Sequence, residues 1–488
     1  MKLFLFLDDY LLDSKRDVAR VFPAAKLERV LPLYSQTSGE THYNVATKRY
    51  EAWAATMPHM GNRWEDLEPE ANRELVVSED GINWTSRRKP GTLTITGDIP
   101  EGLKVTQKTV PCPPTYDRWH GLEYEDKWDE DPTRRYKCVV WPFTREISEE
   151  GGIEGGPGLI ACSPDGIDWT ADMRHQWFKT AMGSDTSNNI FYNPVTKHWQ
   201  VVCRPRNLDR RIAMAESPDL ENWTEPRVIL HPEETDGPCT QFYGMPVIVY
   251  EDEYFLGCVD YLETSLGEVD EDHVFSDFAS WSKWLGLVDG RLAYSYDGRG
   301  WWRPDRRHVL LPRTEPGEFG CGGSYCKTME VGEDGTVNFY SVGNVMNHGV
   351  TVEGYPYTES TLMHHTMRHD GFCYLEPRGW GYIATRPLVV RGDDLTVNYQ
   401  SSVDGQVQVQ VSDSHRNPLS GYTFDDCIPL TGNQVYGRAQ WKEHSSLADL
   451  LVKERVRIEF KFIDTWLYAA RVDCGLWFTN TPEPIERI

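Results

Sequence analysis

Hydrophobic and polar positions follow one another in short runs along most of this chain, as they do in half-buried strands. Leu75-Val76-Val77 and Gly158-Leu159-Ile160-Ala161 are brief apolar runs, each ended by a turn signal. Beyond residue 376 the stretches 392–399, 405–411 and 456–462 alternate strictly, and only 445–452 carries a helical pattern. The prediction is an all-β chain.

Two repeats divide it. Ser-x-Asp-Gly-x-x-Trp occurs at 78–84 and 163–169, recurs at 217–223 with Leu220 in place of glycine, and returns at 295–301. Asp-Gly is a hairpin-turn signal and the tryptophan can cap the hairpin on its core side, so these aspartates are predicted to be structural. The second repeat is a turn followed by an aromatic residue opening a strand. It reads Thr47-Lys48-Arg49-Tyr50, Thr133-Arg134-Arg135-Tyr136, Thr196-Lys197-His198-Trp199, Glu251-Asp252-Glu253-Tyr254 and Asp334-Gly335-Thr336-Val337-Asn338-Phe339. Five copies at spacings of about 55 to 86 residues fit one four-stranded sheet plus loops per copy. Arg368-His369-Asp370-Gly371-Phe372 reads as a degenerate fifth closing turn. A five-bladed β-propeller over 1–376 and a C-terminal β-sandwich over 377–488 are therefore expected. The insert 263–283, with Glu268, Asp270, Glu271 and Asp272, reads as a long solvated loop.

Charge narrows the partners. Fifty Lys+Arg against 75 Asp+Glu give a net charge of −25, which argues against nucleic acid or an anionic membrane as partner. The first apolar run, 3–7, is too short for a signal-peptide core, and no stretch approaches a membrane span. Scattered cysteines without a Cys-x-x-Cys pair indicate neither a disulfide framework nor structural zinc, so a cytoplasmic setting is expected. No metal or cofactor is called for. With 18 Trp and 24 Tyr the chain has flat faces for sugar rings, although most of them should fill a β core.

In a propeller the innermost strand of each blade lines the central funnel, so polar residues at its start are site candidates. Aligning these strands on the aromatic that opens the next one sets Asp117 and Asp185 at the same register, with Glu40 in blade one and Glu318 in blade five. These four are the candidate catalytic carboxylates. In glycosidic cleavage one carboxylic acid protonates the leaving oxygen and a second acts as nucleophile or activates water; proximity drives their pKa values apart. Trp119, His120, Asn188, Arg204, Gln241, Tyr243 and His42 are candidates for holding the substrate. Arg204 directly follows a buried strand, and its fork suits hydroxyls or a carboxylate. His364 and His365 lie in the final blade strand and read as structural. No nucleophile elbow, Walker loop, dinucleotide fingerprint or HExxH helix occurs.

The segments Leu5-Phe6-Leu7-Asp8-Asp9-Tyr10-Leu11-Leu12, Phe242-Tyr243-Gly244-Met245-Pro246-Val247, Arg368-His369-Asp370-Gly371-Phe372, and 421–432 followed by Trp441 carry a resemblance. They resemble bacterial proteins of the glycoside hydrolase group around families 32, 43, 68 and 117, in particular those similar to the family 32 N-terminal domain. The resemblance covers nearly the whole chain. It implies a five-bladed propeller with a C-terminal β-sandwich, and a glycosidase for a furanose or related sugar with Asp185 as the shared carboxylate. The Trp-Met-Asn-Asp-Pro-type, Arg-Asp-Pro and Glu-Cys motifs of family 32 are absent from this sequence.

The leading expectation is an exo-acting glycoside hydrolase on a furanoside-containing oligosaccharide, fructo- or arabinofuranoside-like. A glycoside phosphorylase would need a basic phosphate subsite such as Arg204 with Arg206. A non-catalytic carbohydrate-binding propeller would account for the missing motifs. The sugar, the linkage, the anomeric outcome and the division of roles among the carboxylates stay open, as does a homo-oligomer.

Overall fold

The computed structural model describes residues 2–34, 41–44, 48–55, 73–81, 83–88, 91–101, 103, 109–110, 121–122, 124–143, 146–147, 153–154, 157–166, 168–178, 188–204, 210–236, 239–264, 286–305, 308–345, 347–348, 360–451 and 455–477. Among them the structure is strands, turns and short 3-10 turns. The chain divides into two compact units.

The larger unit takes Ala24–Glu330 and Asn338–Thr366. Its strands form successive antiparallel groups. Thr41–Asn44, Arg49–Ala55, Arg73–Ser78 and Trp84–Arg88 pair in chain order. Tyr124–Glu125, Tyr136–Val140, Gly158–Ser163 and Trp169–Phe178 do the same, as do Asn188–Asn193, His198–Cys203, Ile212–Ser217 and Arg227–Leu230. Thr240–Phe242 and Val247–Tyr250 both pair with Tyr254–Thr264, which pairs with Gly286–Ser295. Gly323–Val331, Val337–Asn344 and Ser360–Met367 follow as neighbours. Ser360–Met367 then takes the early strand Lys26–Tyr34 as its antiparallel partner, so the start of this unit completes its last group. Four of the five aromatic-led copies are the second strand of their group, and the other, Tyr254–Thr264, follows two short strands that both pair with it.

The Ser-x-Asp-Gly-x-x-Trp copies are closing turns held from within. In each, the serine hydroxyl donates to the aspartate: Ser78 to Asp80 at 2.9 Å, Ser163 to Asp165 at 3.0 Å, Ser217 to Asp219 at 3.1 Å and Ser295 to Asp297 at 3.1 Å. Main-chain N–H groups donate to the same carboxylates, as from Asn222 to Asp219 at 2.8 Å. Those bonds from Asn222 hold the Asp219 carboxyl down to about 2. The fourth position is left-handed in every copy, with φ of +71°, +72°, +68° and +71° at Gly81, Gly166, Leu220 and Gly298. Three of the tryptophans donate from Nε1 to that residue's carbonyl. These aspartates are structural, as expected.

Apolar side chains fill the space between groups. Trp141 and Trp177 meet edge to face at 5.6 Å among Ile160, Ile190, Val201 and Leu220. A buried ionic knot interrupts this packing. Lys137 Nζ lies 3.0 Å from Asp126 and 2.8 Å from Asp129, all nearly without exposure, and Trp199 Nε1 donates to Asp126 at 2.6 Å.

The second unit comprises Met1–Pro23, Val331–Val337 and Met367–Ile488. Its sheet runs Leu12–Val21, Tyr374–Thr385, Arg455–Leu476, Leu388–Asp413, Asn433–Arg438, with Lys2–Leu5 also on Arg455–Leu476. The first 23 residues, expected on the propeller side, are thus partners of C-terminal strands. The expected boundary at 376/377 falls inside the strand Tyr374–Thr385. It was drawn where the repeat stops, and a repeat cannot register pairing between distant chain ends. Arg368–Phe372 is an anchor of this unit rather than a copy of the closing turn. Asp370, at φ +58°, receives two N–H bonds of 2.6 Å from buried Arg471, and Asn398 Nδ2 adds one at 3.0 Å. In 456–462 the alternation does not mark a solvent face, because Arg457 and Glu459 are buried. Arg457 Nε donates to Asp13, and Glu459 accepts from Tyr382, Gln410 and Ser412. The helix expected over 445–452 is a 3-10 turn at Ala448–Leu450.

Candidate functional site

Six buried or half-buried side chains from consecutive groups of the larger unit converge. Arg204 follows His198–Cys203 and Arg210 precedes Ile212–Ser217, so both stand at one end of that hairpin. Gln241 lies in Thr240–Phe242, Tyr243 just beyond it, Tyr325 in Gly323–Val331, and His348 after Val337–Asn344. Arg210 Nη1 donates to Gln241 Oε1 at 2.8 Å, while the Phe242 N–H donates to the Arg210 carbonyl at 3.0 Å. The guanidinium carbons of Arg204 and Arg210 lie 4.8 and 5.5 Å from the Tyr243 ring centroid. His348 meets the same ring edge to face at 4.7 Å, and Tyr325 does so at 5.7 Å.

The strand ends can approach this closely because one position has no side chain. A Cβ on Gly286 would stand 2.2 Å from the Glu263 carbonyl oxygen. Gly286 exchanges both main-chain bonds with His348, at 2.8 and 3.2 Å, and so sets that imidazole beside Tyr243. Burial, then the charges of Arg210 and Arg204, push the His348 imidazole down to about 3. The histidine is neutral at any ordinary pH, so the positive charge of the cluster belongs to its arginines. A cavity of about 550 Å³ in the larger unit is lined by Leu287, Asp289, Val309, Arg313, Cys321 and Asn347, with none of the six cluster residues among them. That volume is within the range of small-molecule sites.

Beneath the aromatic pair sits Asp260, wholly buried in Tyr254–Thr264, its Oδ1 accepting the Cys326 N–H at 2.9 Å. Desolvation outweighs the opposing pull of Lys327 and of that N–H, and raises its carboxyl to about 7. Guanidinium donors, a neutral imidazole, an amide and two phenol rings packed edge to face can orient hydroxyls, a carboxylate or a phosphate. Among the described residues no group of three His, Cys, Asp or Glu could hold a metal ion.

Of the residues singled out from the sequence, Arg204, Gln241 and Tyr243 are brought together. Asn188 is fully buried at the start of Asn188–Asn193, opposite Gly121. Glu318 is an exposed turn residue whose main-chain bonds run to Glu315 and Cys321 in its own loop. His42 is placed by its main chain alone, opposite Glu51. Asp185, Asp117, Glu40, Trp119 and His120 lie outside the described residues, as does Arg206. Sequence reasoning missed Arg210, Tyr325, His348 and Asp260. Arg210 had a signal, since like Arg204 it lies close to a buried strand. His364 hydrogen-bonds Asn338 at 2.9 Å and stacks on Tyr340, which suits the structural role expected of it.

No family model matches the chain, and no curated protein does. Among solved structures, it is similar to a xylan β-1,4-xylosidase from Bacillus halodurans C-125, at 9% identity and a TM-score of 0.40, over 92% of this chain and 100% of that one. It is also similar to a β-1,2-mannobiose phosphorylase from Listeria innocua, at 13% identity and a TM-score of 0.39, over 76% and 98%. A sucrose-6-phosphate hydrolase from Lactobacillus gasseri matches at 10% identity and a TM-score of 0.39, over 92% and 93%. Likeness at this level decides neither the chemistry nor the substrate of this chain.

Proposed function

We propose that the chain is an exo-acting glycoside hydrolase for furanoside-containing oligosaccharides, built as a five-bladed β-propeller with a C-terminal β-sandwich. The successive antiparallel groups, and the pairing of Ser360–Met367 with Lys26–Tyr34, support the propeller. The observation that carries the functional reading is the convergence of Arg204, Arg210, Gln241, Tyr243, Tyr325 and His348 at strand ends of consecutive groups. In this proposal they orient the sugar, with Trp119, His120, Asn188 and His42 beside them. Asp185 stands three residues before Asn188 and is the first choice for the reacting carboxylate, with Asp117, Glu40 or Glu318 as its partner. The test is a panel of nitrophenyl furanosides and pyranosides, fructans and arabinan fragments, run with Asp185→Asn alongside. Turnover that falls by orders of magnitude in a folded variant supports the reading, and unchanged turnover sinks it.

Two arginines on one phenol ring also favour a second reading, a glycoside phosphorylase with Arg204 and Arg210 as its phosphate subsite. Turnover that needs inorganic phosphate selects it. Sugar binding seen by calorimetry without any turnover would leave a carbohydrate-binding propeller.

A further inference from the structure

Asp260 touches both aromatic walls of the candidate site. Its main chain holds one of them: the Tyr243 N–H donates to the Asp260 carbonyl at 2.8 Å, and the Asp260 N–H donates to Gly244 at 2.8 Å. Its side chain holds the other, through the Cys326 N–H next to Tyr325. The remaining oxygen, Oδ2, is buried without a hydrogen-bond partner among the described residues. We infer that Asp260 is the positioning residue of this site, setting the spacing of the Tyr243 and Tyr325 rings through its main chain on one side and its carboxyl on the other. The activity arm of the test below rests on the glycosidase reading; the spectroscopic arm does not.

Among the described residues, the groups that face this carboxyl are few. Lys327, on the strand of Cys326, pulls its pKa down, and the Cys326 N–H does the same. The buried Cys258 thiol feels the Asp260 carboxyl, together with Cys326 and Asp289. Burial is the larger influence, so the neutral acid prevails below about pH 7. As the neutral acid, Asp260 accepts from Cys326 and buries no charge. Ionised, it places an anion where Oδ2 has no donor, and the two strands must part or admit water. The walls are then set at mildly acid pH and loosened at mildly alkaline pH.

The test compares the intact chain with Asp260→Asn and Asp260→Ala by near-ultraviolet circular dichroism, from about pH 6 to about pH 8. The asparagine keeps an acceptor for Cys326 but cannot ionise. The wild-type aromatic signal should change with a midpoint near 7, the asparagine variant should hold the low-pH spectrum throughout, and the alanine variant should show the altered spectrum at every pH. On a glycoside turned over in the panel, the wild-type KM should rise severalfold across that window with little change in kcat, while that of the asparagine variant stays flat. A flat wild-type spectrum, or an asparagine variant that titrates like the wild type, overturns the inference. If the alanine variant fails to fold, the wild-type and asparagine pair decides alone. A spectroscopic titration without turnover on any glycoside supports the positioning role and counts against the glycosidase reading.

Discussion

The guanidinium of Arg204 lies 4.8 Å from the centroid of the Tyr243 ring, and the two side chains come from different hairpins of the larger unit. A guanidinium over a phenol face can stack on it and present its N–H groups edgewise to what lies beside the ring. That geometry gives orientation as well as charge.

Arg204→Lys should therefore fail where charge alone would succeed. Lysine keeps the positive charge but loses both the stacking and the fork. A hydrogen bond from the fork to a bound sugar, at about 2 kcal/mol for a charged donor, corresponds to roughly 30-fold in affinity. KM should rise by about that factor in both Arg204→Lys and Arg204→Ala, with smaller changes in kcat. Steady-state kinetics on a turned-over glycoside checks this, and a lysine variant with wild-type KM would show that only charge matters.

The third closing turn makes a different prediction. Leu220 occupies the left-handed position that glycine fills in the other three copies, at φ +68°. Relieving that backbone should return about 1 kcal/mol. Leu220 is also fully buried beside Trp141 and Ala213, and emptying such a site costs about 3 kcal/mol or more. Packing wins, so Leu220→Gly should destabilise the chain by about 2 kcal/mol although it restores the repeat. A rise in thermal midpoint would show that strain outweighs burial here.

What the sequence showed plainly was local. The closing turns were legible because Ser78, Asp80, Gly81 and Trp84 all lie within one turn of chain, and each type has a geometric reason to be there. The aromatic-led strands were legible for the same reason. The Lys137–Asp126–Asp129 knot was not, since its lysine sits in a run that otherwise reads as an ordinary strand. The cluster around Tyr243 was half legible: Arg204, Gln241 and Tyr243 stand at recognisable strand ends. His348 and Tyr325 join them only through the Gly286 crossing and the packing of neighbouring groups, which no spacing encodes. Residues 1–23 were misplaced because their partners lie near the far end of the chain.

In the C-terminal unit the Asp370–Arg471 pair is an anchor that should not tolerate half-removal. Burial alone would raise the Asp370 carboxyl, but hydrogen bonds and charge from Arg471, with His369 and Asn398, hold it below its ordinary 3.8. A carboxylate with a lowered folded pKa stabilises above the unfolded value, and that stability is lost as pH falls below about 3.8. Asp370→Asn leaves a buried guanidinium without its anion and should cost about 3–5 kcal/mol. Denaturant unfolding at neutral pH measures this. A loss under about 1 kcal/mol would mean that Arg471 finds another partner.

Acid should reach the larger unit through His365. It is fully buried in Ser360–Met367, and neither ring nitrogen has a hydrogen-bond partner among the described residues. Burial, then the neighbouring charge of His364, push its imidazole from 6.5 down to about 4. With a folded pKa below the unfolded one, the unfolded chain takes up the proton first. Stability is therefore full above about 6.5 and drains as pH falls toward 4. At about pH 5 the linkage amounts to ~2 kcal/mol. Leucine has no proton to gain and no ring nitrogen to leave unsatisfied, so His365→Leu should lose less stability on acidification than the wild type. The two thermal midpoints should diverge between about pH 7 and pH 5, the variant staying higher. Midpoints that fall in parallel would place the acid sensitivity on other groups and give His365 no part in it.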